Sequence, residues 1–242
     1  MSLRDNLLIF ACVRFQRTAW KLYIMKDKTA RELLEKVKLD YALISEDFAK
    51  TREDIWPEFE RFKRYIKKTD AIADIGCGSG RLLKVLGENA NYTGIDNNES
   101  LLAEAKKRFG DNKFILGDML EIPLGSSSQN IIFSIAAMHH IPSKGLRKKA
   151  FREIHRILKP GGILVIMVWD LFQRKHILKI LKSLFSTQYD YKDIFIKWGN
   201  TGVKRYYHAF TPGEIKHLLN ETGFGVIETT YTKNICIIAR KI

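Results

Sequence analysis

The sequence predicts an α/β fold with a seven-stranded, mostly parallel sheet and helices on both faces. Short apolar runs of strand length alternate with helical stretches along most of the chain, which is typical of successive β-α units. A glycine-rich turn follows the first run, and open α/β sheets bind ligands at the carboxyl ends of their strands. With 242 residues, of which 45% are hydrophobic and 28% charged, the chain can form one large core without disulfides.

Seven apolar runs have the length and composition of strands. In chain order they are residues 71–75, 92–95, 113–116, 131–137, 163–168, 225–230 and 235–239. Helices are predicted at residues 29–38, 81–86, 101–109 and 144–158. A further helix begins at Thr211 as N-cap, with Pro212 at its first position and Glu214 completing a capping box. The helix over 144–158 is predicted to stop at Pro160-Gly161-Gly162.

Residues 1–40 are predicted to form an N-terminal extension and helix, and residues 41–242 the main domain with an insert at about 171–210. The apolar run at 7–13 is far shorter than the roughly 20 residues that span a bilayer, so no membrane span is expected. This run is a short strand or helix packed on the domain, or an extension upstream of a start at Met25. The three cysteines are too scattered for a disulfide framework or a metal cluster, which favours a reducing, cytoplasmic location.

The chain is strongly basic, because 41 Lys and Arg residues against 27 Asp and Glu give a formal net charge of +14. Such an excess attracts polyanions, with nucleic acid as the first partner to consider and an anionic membrane surface as the second. The alternative is that the charge only keeps the chain soluble. One stretch concentrates the charge and is predicted to contact RNA phosphates. Its cations are Lys144, Arg147, Lys148, Lys149, Arg152, Arg156 and Lys159.

The glycine-rich turn is Gly76-Cys77-Gly78-Ser79-Gly80, with Asp74 on the strand before it. Glycines let the backbone approach a ligand closely, and a helix N-terminus stands behind the turn. A dinucleotide-binding loop has its third glycine three residues after the second, where this chain has Arg81. The turn therefore differs from the NAD pattern. It resembles the cofactor loop of class I S-adenosylmethionine-dependent methyltransferases, which have a Rossmann-like fold.

Residues at matching intervals extend this resemblance. Asp96 ends the second strand, where the family's carboxylate accepts hydrogen bonds from ribose hydroxyls; alternatively it caps the next helix. Gly117-Asp118-Met119 ends the third strand, where the family binds adenine, although Asp118 alone would be an ordinary turn acid. The resemblance implies S-adenosyl-L-methionine as cofactor, with Arg52 pairing with its methionine carboxylate. The implied cofactor-binding residues are Arg52, Asp74, Gly76, Gly78, Gly80, Asp96, Asn97, Asp118, Met119 and Ala136.

Motifs outside this core are similar to those of the tRNA wobble-uridine carboxymethyl methyltransferases. They are Tyr41, Phe48, Thr51-Arg52, Trp56-Pro57, the run from Ser134 to Ile141, Val168-Trp169 and Arg205-Tyr206-Tyr207-His208. This resemblance implies a tRNA substrate and a small zinc-binding activator protein, as in the eukaryotic members. The first 40 residues and the segment 171–191 depart from the family pattern, which leaves the methyl acceptor open.

Methyl transfer from a sulfonium is an in-line displacement, so the enzyme must align the nucleophile with the methyl carbon and exclude water. A carboxylate nucleophile is already ionised at neutral pH and needs a cation to hold it rather than a general base. Arg205 is the candidate clamp, and the alternative is an arginine in a basic surface loop. The residues expected beside the clamped carboxylate are Tyr206, Tyr207 and His208.

Two histidines and a tryptophan complete the candidate acceptor site. Either one of His139 and His140 bonds the substrate, or one only caps local backbone groups. Trp169 lines the pocket or stacks on a base, or it belongs to the core. The predicted catalytic residues are therefore Arg205, His139, His140 and Tyr207.

Three classes of function follow from these observations. An RNA methyltransferase acting on a modified wobble uridine is favoured by the net charge and by the motif around Arg205. In a small-molecule methyltransferase for a lipid, quinone or metabolite acid, the charge would be incidental. A non-catalytic cofactor- or RNA-binding subunit is disfavoured by the intact cofactor motifs.

Overall fold

The computed structural model describes residues 23–51, 56–87, 90–110 and 113–242. The strands are β1 (Ile72–Ile75), β2 (Tyr92–Asp96), β3 (Phe114–Leu116), β4 (Gln129–Ile135), β5 (Leu158–Trp169), β6 (Asp193–Lys197), β7 (Lys204–His208), β8 (Phe224–Tyr231) and β9 (Asn234–Lys241). The α-helices are α1 (Asp27–Leu43), α2 (Ser45–Lys50), α3 (Glu58–Phe62), α4 (Leu83–Leu86), α5 (Glu99–Phe109), α6 (Lys144–Ile157), α7 (Arg174–Ser183) and α8 (Pro212–Glu221). The apolar run at 7–13 and Arg52 lie outside the described residues.

The main sheet has seven strands in the order β3-β2-β1-β4-β5-β9-β8. Strands β1 to β5 run parallel, and β9 is antiparallel to both of its neighbours. The predicted seven-stranded, mostly parallel sheet is therefore confirmed. The chain moves from β1 out to β3 and then crosses to β4 on the other side of β1. This reversal creates a switch point between β1 and β4, where open α/β sheets bind ligands.

Helices cover both faces of the sheet, as predicted. On one face α6 and α8 pack through buried side chains such as Phe151 and Leu218. On the other face α3 and α5 pack through Phe59 and Leu102. Each such side chain contributes about 1.5–3 kcal/mol when fully buried, so the two layers hold the strand ends in fixed positions. No helix in the described part of the chain combines the length and the apolar character needed to cross a membrane.

The predicted insert at about 171–210 forms a small layer of its own, to which the sequence assigned no element. Its helix α7 is followed by the antiparallel pair β6–β7, which is separate from the main sheet. Helix α1 packs on this pair, where Met25, Ala30 and Leu33 surround Tyr206. Because α1 continues to Leu43, the predicted border at residue 40 falls inside this helix.

Two predicted helix signals act differently in the structure. Helix α6 ends at Ile157 rather than at Pro160-Gly161-Gly162, which lies inside β5. The strand begins early because Leu158 is fully buried and pairs with Gln129 of β4. Thr211 caps α8 as predicted, since its Oγ1 accepts from the Glu214 backbone N–H at 3.3 Å. The Glu214 carboxylate, however, bonds the side chains of His208 and Lys192 instead of returning to Thr211.

Much of the basic charge of α6 is used within the protein. Lys144 and Lys148 both pair with Glu221. Arg147 is buried and lies 3.8 Å from an Asp190 carboxylate oxygen. Among the described residues, the exposed cations of α6 that have no ion pair within 4.0 Å are Lys149 and Arg152. The predicted phosphate-binding face of this helix is therefore smaller than the sequence indicated.

Candidate active site

A cavity of about 140 Å³ lies at the carboxyl edge of the sheet, beside β1, β2 and β4. The strands are in register there, because Ile75 pairs with Ile95 and Asp96 with Leu116. The segments that follow the strands therefore meet in one place. The predicted site residues that line the cavity are Gly76, Gly78, Asp96, Asn97, Asp118, Met119, Ala136, His139 and His140.

Other predicted site residues lie around the cavity rather than on its wall. Asp74 is buried behind the glycine-rich turn, and Gly80 is the buried last residue of that turn, where a Cβ would lie 2.9 Å from the Phe114 ring. Arg205 and Tyr207 lie in β7, behind residues that do line it. Arg52 belongs to the residues that the structure leaves undescribed, so its pairing with the cofactor stays a prediction.

The glycine-rich turn is bound tightly to the end of β2. The backbone N–H groups of Gly76 and Cys77 donate to the Ile95 carbonyl at 2.7 and 3.1 Å, and Gly78 donates to the Asp96 carboxylate at 2.8 Å. Gly76 has φ +78°, and a Cβ there would stand 2.4 Å from the Ala137 Cβ. Glycine is therefore required at position 76 both by the backbone conformation and by the close approach of the loop after β4.

Asp96 is half-buried and is surrounded by backbone donors. Its two carboxylate oxygens accept from the N–H groups of Gly78 and Asn98 at 2.8 and 2.9 Å. The Asn98 side chain, not that of Asp96, caps α5, because its Oδ1 accepts from the Leu101 N–H at 3.1 Å. The alternative role of Asp96 as the helix N-cap is therefore wrong. Its carboxylate is held at the cavity wall, and each carboxylate oxygen can accept more than one hydrogen bond.

The carboxylates of Asp74 and Asp96 show which kind of ligand the cavity suits. Burial raises the pKa of Asp74 to about 7 and also raises that of Asp96. Tyr92 donates to one Asp74 oxygen at 3.0 Å, while the other has no hydrogen-bond partner in the described structure. One carboxylate on the cavity wall and a second behind the turn suit a ligand with positive charge, and S-adenosyl-L-methionine has both an ammonium and a sulfonium group. The residues present therefore fit this cofactor.

The raised pKa of Asp74 predicts a pH dependence of stability. Between about pH 4 and pH 7 the folded carboxyl keeps a proton that the unfolded chain loses, so the free energy of unfolding should fall as pH rises. In wild type, Asp74 should lower the free energy of unfolding by up to about 1.4 kcal/mol per pH unit, and we expect this contribution to be absent in Asp74→Asn. Urea unfolding of the cofactor-free protein at several pH values measures it, with the exposed Asp47→Asn as control. A slope equal to that of the wild type would show that Asp74 is ionised throughout.

A chain of hydrogen bonds links the acceptor end of the cavity to Arg205. The Arg205 guanidinium donates to the Tyr41 hydroxyl at 3.2 Å, and that hydroxyl donates to His140 Nε2 at 2.8 Å. His140 Nδ1 in turn donates to the Tyr206 carbonyl at 2.8 Å. Burial and the neighbouring Arg205 charge lower the pKa of His140 to about 3. His140 is thus a neutral ring that orients Tyr41 rather than a base.

Arg205 is a buried cation enclosed by aromatic rings. It is 3% exposed, which excludes the alternative of a surface-loop arginine. The rings within 6 Å of its guanidinium carbon are those of Trp198 (4.6 Å), Tyr207 (5.2 Å), Tyr41 (5.7 Å) and Trp169 (5.8 Å). Within the described ranges, no carboxylate lies within 4.0 Å of it. Cation–π contacts stabilise the charge, and no ionic partner of Arg205 is present among the described residues.

The alternation of β7 corrects the predicted surroundings of Arg205. Successive side chains of a strand point to opposite faces, so Arg205 and Tyr207 share one face and Tyr206 and His208 the other. Tyr206 and His208 both bond the Asp193 carboxylate, at 2.8 and 2.7 Å. The prediction that they flank the clamped carboxylate is therefore wrong. Tyr207 does lie beside the clamp, where it stacks on Trp169 at 5.2 Å.

His139 has an unused ring nitrogen in the cavity wall. Its Nδ1 accepts from the Trp169 backbone N–H at 3.3 Å, which places the proton of the neutral ring on Nε2. Burial, together with His140 and Arg205, holds the pKa of His139 well below its usual value. Nε2 is buried and has no hydrogen-bond partner in the described structure. Of the two histidines, His139 is therefore the one with a donor available to a substrate.

Sequence reasoning missed the connecting roles of Tyr41 and Trp198. The spacing of Leu34, Val37 and Tyr41 would have placed them on one face of α1, and all three line the cavity. Trp198 follows β6 in a turn and reaches Arg205 only through the pairing of β6 with β7, for which the sequence has no local signal.

Comparisons with known proteins agree with this geometry. Residues 73–166 match the family model of a methyltransferase domain. The chain is 30% identical over 224 residues to the tRNA (carboxymethyluridine(34)-5-O)-methyltransferase of Schizosaccharomyces pombe, covering 83% of this chain and 94% of that protein. Among solved structures, an S-adenosylmethionine-dependent methyltransferase of Methanosarcina mazei has a TM-score of 0.68 at 22% identity, covering 78% of this chain and 99% of that one. A chain in the complex between the Haloferax volcanii Trm112 methyltransferase activator and a methyltransferase matches with a TM-score of 0.60 at 16% identity. The match covers 83% of this chain and 97% of that chain.

The fold, the glycine-rich cavity and these matches define the class of protein. The chain belongs to the class I S-adenosylmethionine-dependent methyltransferase family, and S-adenosyl-L-methionine is its cofactor. Within this family it is similar to the tRNA wobble-uridine carboxymethyl methyltransferases, as the sequence motifs predicted.

Proposed function

We propose that this methyltransferase acts in the cytoplasm and methylates a carboxylate oxygen of a carboxymethyl-type group on a tRNA wobble uridine. The observation that carries the proposal is Arg205, a buried guanidinium with four aromatic neighbours and no carboxylate within 4.0 Å in the described chain. A buried charge without an ionic partner destabilises the protein, which supports a role in binding an anionic substrate. The similarity to the tRNA (carboxymethyluridine(34)-5-O)-methyltransferase of Schizosaccharomyces pombe supports the tRNA assignment.

The substrate carboxylate binds where the Tyr41 hydroxyl now contacts Arg205. The planar guanidinium offers paired N–H donors that match a carboxylate, and a second bond fixes the orientation of the attacking oxygen. Tyr41 gives up its 3.2 Å contact with Arg205 and keeps its bond to His140. The substrate carboxylate thus replaces the neutral Tyr41 hydroxyl as the partner of Arg205, and its negative charge neutralises the buried guanidinium.

S-adenosyl-L-methionine supplies a methyl group made electrophilic by its positively charged sulfur. Gly76, Asp96 and Asp118 would hold this cofactor, and Asp74 behind the turn would balance its positive charge in the ionised form that a bound cation favours. The acceptor carboxylate enters ionised, so no residue has to remove a proton, and the low pKa values of His139 and His140 agree with this. His139 Nε2–H donates to the acceptor group and helps to align it. Tyr41 and Trp169 line the cavity and exclude water from the reacting atoms.

The test has two reactions, each containing the protein and methyl-labelled cofactor. One reaction contains total tRNA as the acceptor, and the other contains a metabolite extract. We expect label in tRNA, and only in tRNA whose wobble uridine carries a carboxymethyl group. Label in a metabolite and none in tRNA would show instead a small-molecule methyltransferase. Cofactor binding without any transfer would indicate a non-catalytic subunit.

We also propose that a small zinc-binding activator protein associates with this chain. The family resemblance supports it, and a structural neighbour was solved with the Trm112 methyltransferase activator. Co-expression with and without such a protein, followed by size-exclusion chromatography, tests the association. Equal solubility and activity in both cases, with no co-elution, would contradict it.

A further inference from the structure

A second groove, of about 670 Å³, lies next to the cofactor cavity. Helix α3, the segment after β5, the start of α7 and the β8–β9 turn line it. Trp169 lines both spaces, and Trp56 of the groove is stacked under Arg81 of the cavity at 3.8 Å. A ligand in this groove would therefore lie directly beside the acceptor end of the active site.

The groove carries three exposed cations, Arg61, Lys175 and Lys233. Within the described ranges none of them has an ion pair shorter than 4.0 Å. Two carboxylates also line the groove, and both are engaged by the protein. Glu58 accepts from Thr232 and Asn234, and Asp170 accepts from the Phe172 backbone N–H. Both carboxylates keep their negative charge, so three cations against two carboxylates leave the groove only weakly positive, with the cations directed to a ligand because they have no ion pair.

The beginning of α7 adds two further features that suit an anion. This ten-residue helix opens at Gln173, which forms no side-chain cap, and Gln173, Lys175 and His176 all line the groove. The positive end of a helix attracts phosphate groups. His176 is 9% exposed, and its Nδ1 has no hydrogen-bond partner in the described structure. A buried polar atom without a partner is expected where a ligand supplies one.

We propose that this groove binds the sugar-phosphate backbone of the RNA strand that carries the methyl acceptor. Arg61, Lys175 and Lys233 contact phosphates, the start of α7 with His176 receives one of them, and the acceptor nucleotide reaches the cavity past Trp169. This inference rests on the proposed function and adds the surface that recognises the RNA. It assigns the phosphate contacts to the groove rather than to α6.

The test compares two charge-neutralised variants of the full chain. One is Arg61→Gln/Lys175→Gln/Lys233→Gln in the groove, and the matched control is Lys144→Gln/Lys149→Gln/Arg152→Gln on α6. Fluorescence anisotropy measures binding of an anticodon stem-loop RNA, with and without a carboxymethyl group on the wobble uridine, over a range of salt concentrations. Cofactor affinity and thermal unfolding confirm that both variants are folded.

We expect the groove variant to bind both RNAs about tenfold more weakly near physiological salt. The slope of log affinity against log salt should become shallower by about 2, since each single-strand phosphate contact contributes about 0.7. The α6 variant should stay within about twofold of the wild type. An unchanged groove variant, or a larger loss in the α6 variant, would overturn the assignment while tRNA methylation by the wild type still stood. A wild-type protein that neither binds nor methylates RNA would overturn the proposed function as well.

Discussion

Replacing Arg205 by lysine is expected to lower turnover about tenfold or more, which corresponds to about 1.4 kcal/mol of barrier. Lysine keeps the charge but loses the planar fork, so the acceptor oxygen drifts off the line of attack. Cofactor affinity should barely change, because Arg205 does not line the cofactor cavity.

Arg205→Ala should lower turnover about a hundredfold, since the carboxylate would then face Tyr207 and Trp169 without a cation. The neighbouring exposed Lys204→Ala is the matched control and should retain nearly full activity. Steady-state kinetics on the modified anticodon stem-loop and calorimetry with the cofactor measure the two effects separately. Equal turnover in Arg205→Lys and the wild type would exclude a bidentate clamp at this position.

Gly76→Ala should weaken cofactor binding about a hundredfold or more, equivalent to about 2.7 kcal/mol. The added Cβ would stand 2.4 Å from the Ala137 Cβ, so the turn must move away from the loop after β4. Movement at this point also disrupts the hydrogen bonds from the Gly76 and Cys77 N–H groups to the Ile95 carbonyl. Calorimetric titration with the cofactor measures the loss.

Gly87→Ala provides a matched control for Gly76→Ala. Gly87 has φ +82°, close to the +78° of Gly76, but its Cβ would meet no heavy atom within 4 Å in the described structure. Both substitutions share the strain of placing alanine at a positive φ, and only Gly76→Ala adds the steric clash. Equal cofactor affinity in the two variants would contradict the claim that the close contact between Gly76 and Ala137 is required for cofactor binding.

The cofactor half of the site could be predicted because its residues follow strands that the sequence marks clearly. The apolar run ending at Ile75 fixes where the glycine-rich turn begins, and parallel pairing brings Asp96 and Asp118 to the same edge. Asp74 shows the limit of a motif. It belongs to the pattern, yet the structure places it behind the turn and bonded to Tyr92.

The acceptor half depends on contacts between distant segments, which have no local signal. Arg205 meets Tyr41 across 164 positions of the chain, and the pairing of β6 with β7 decides which side chains share its face. Motif order alone placed His208 beside Arg205, whereas strand alternation turns it toward Asp193. For the same reason the charge of α6 looked free, although Glu221 from α8 neutralises part of it.

The alkali stability of the product tests the carboxylate mechanism most directly. Methyl-labelled tRNA made by the purified enzyme is treated with mild alkali, and volatile label is separated from label retained in the nucleotides. Attack by a carboxylate oxygen gives a methyl ester, so we expect the label to leave as methanol and the carboxymethyl group to be restored. Label that stays on the nucleotides would show methylation of a ring atom or a ribose oxygen, and it would contradict the role assigned to Arg205.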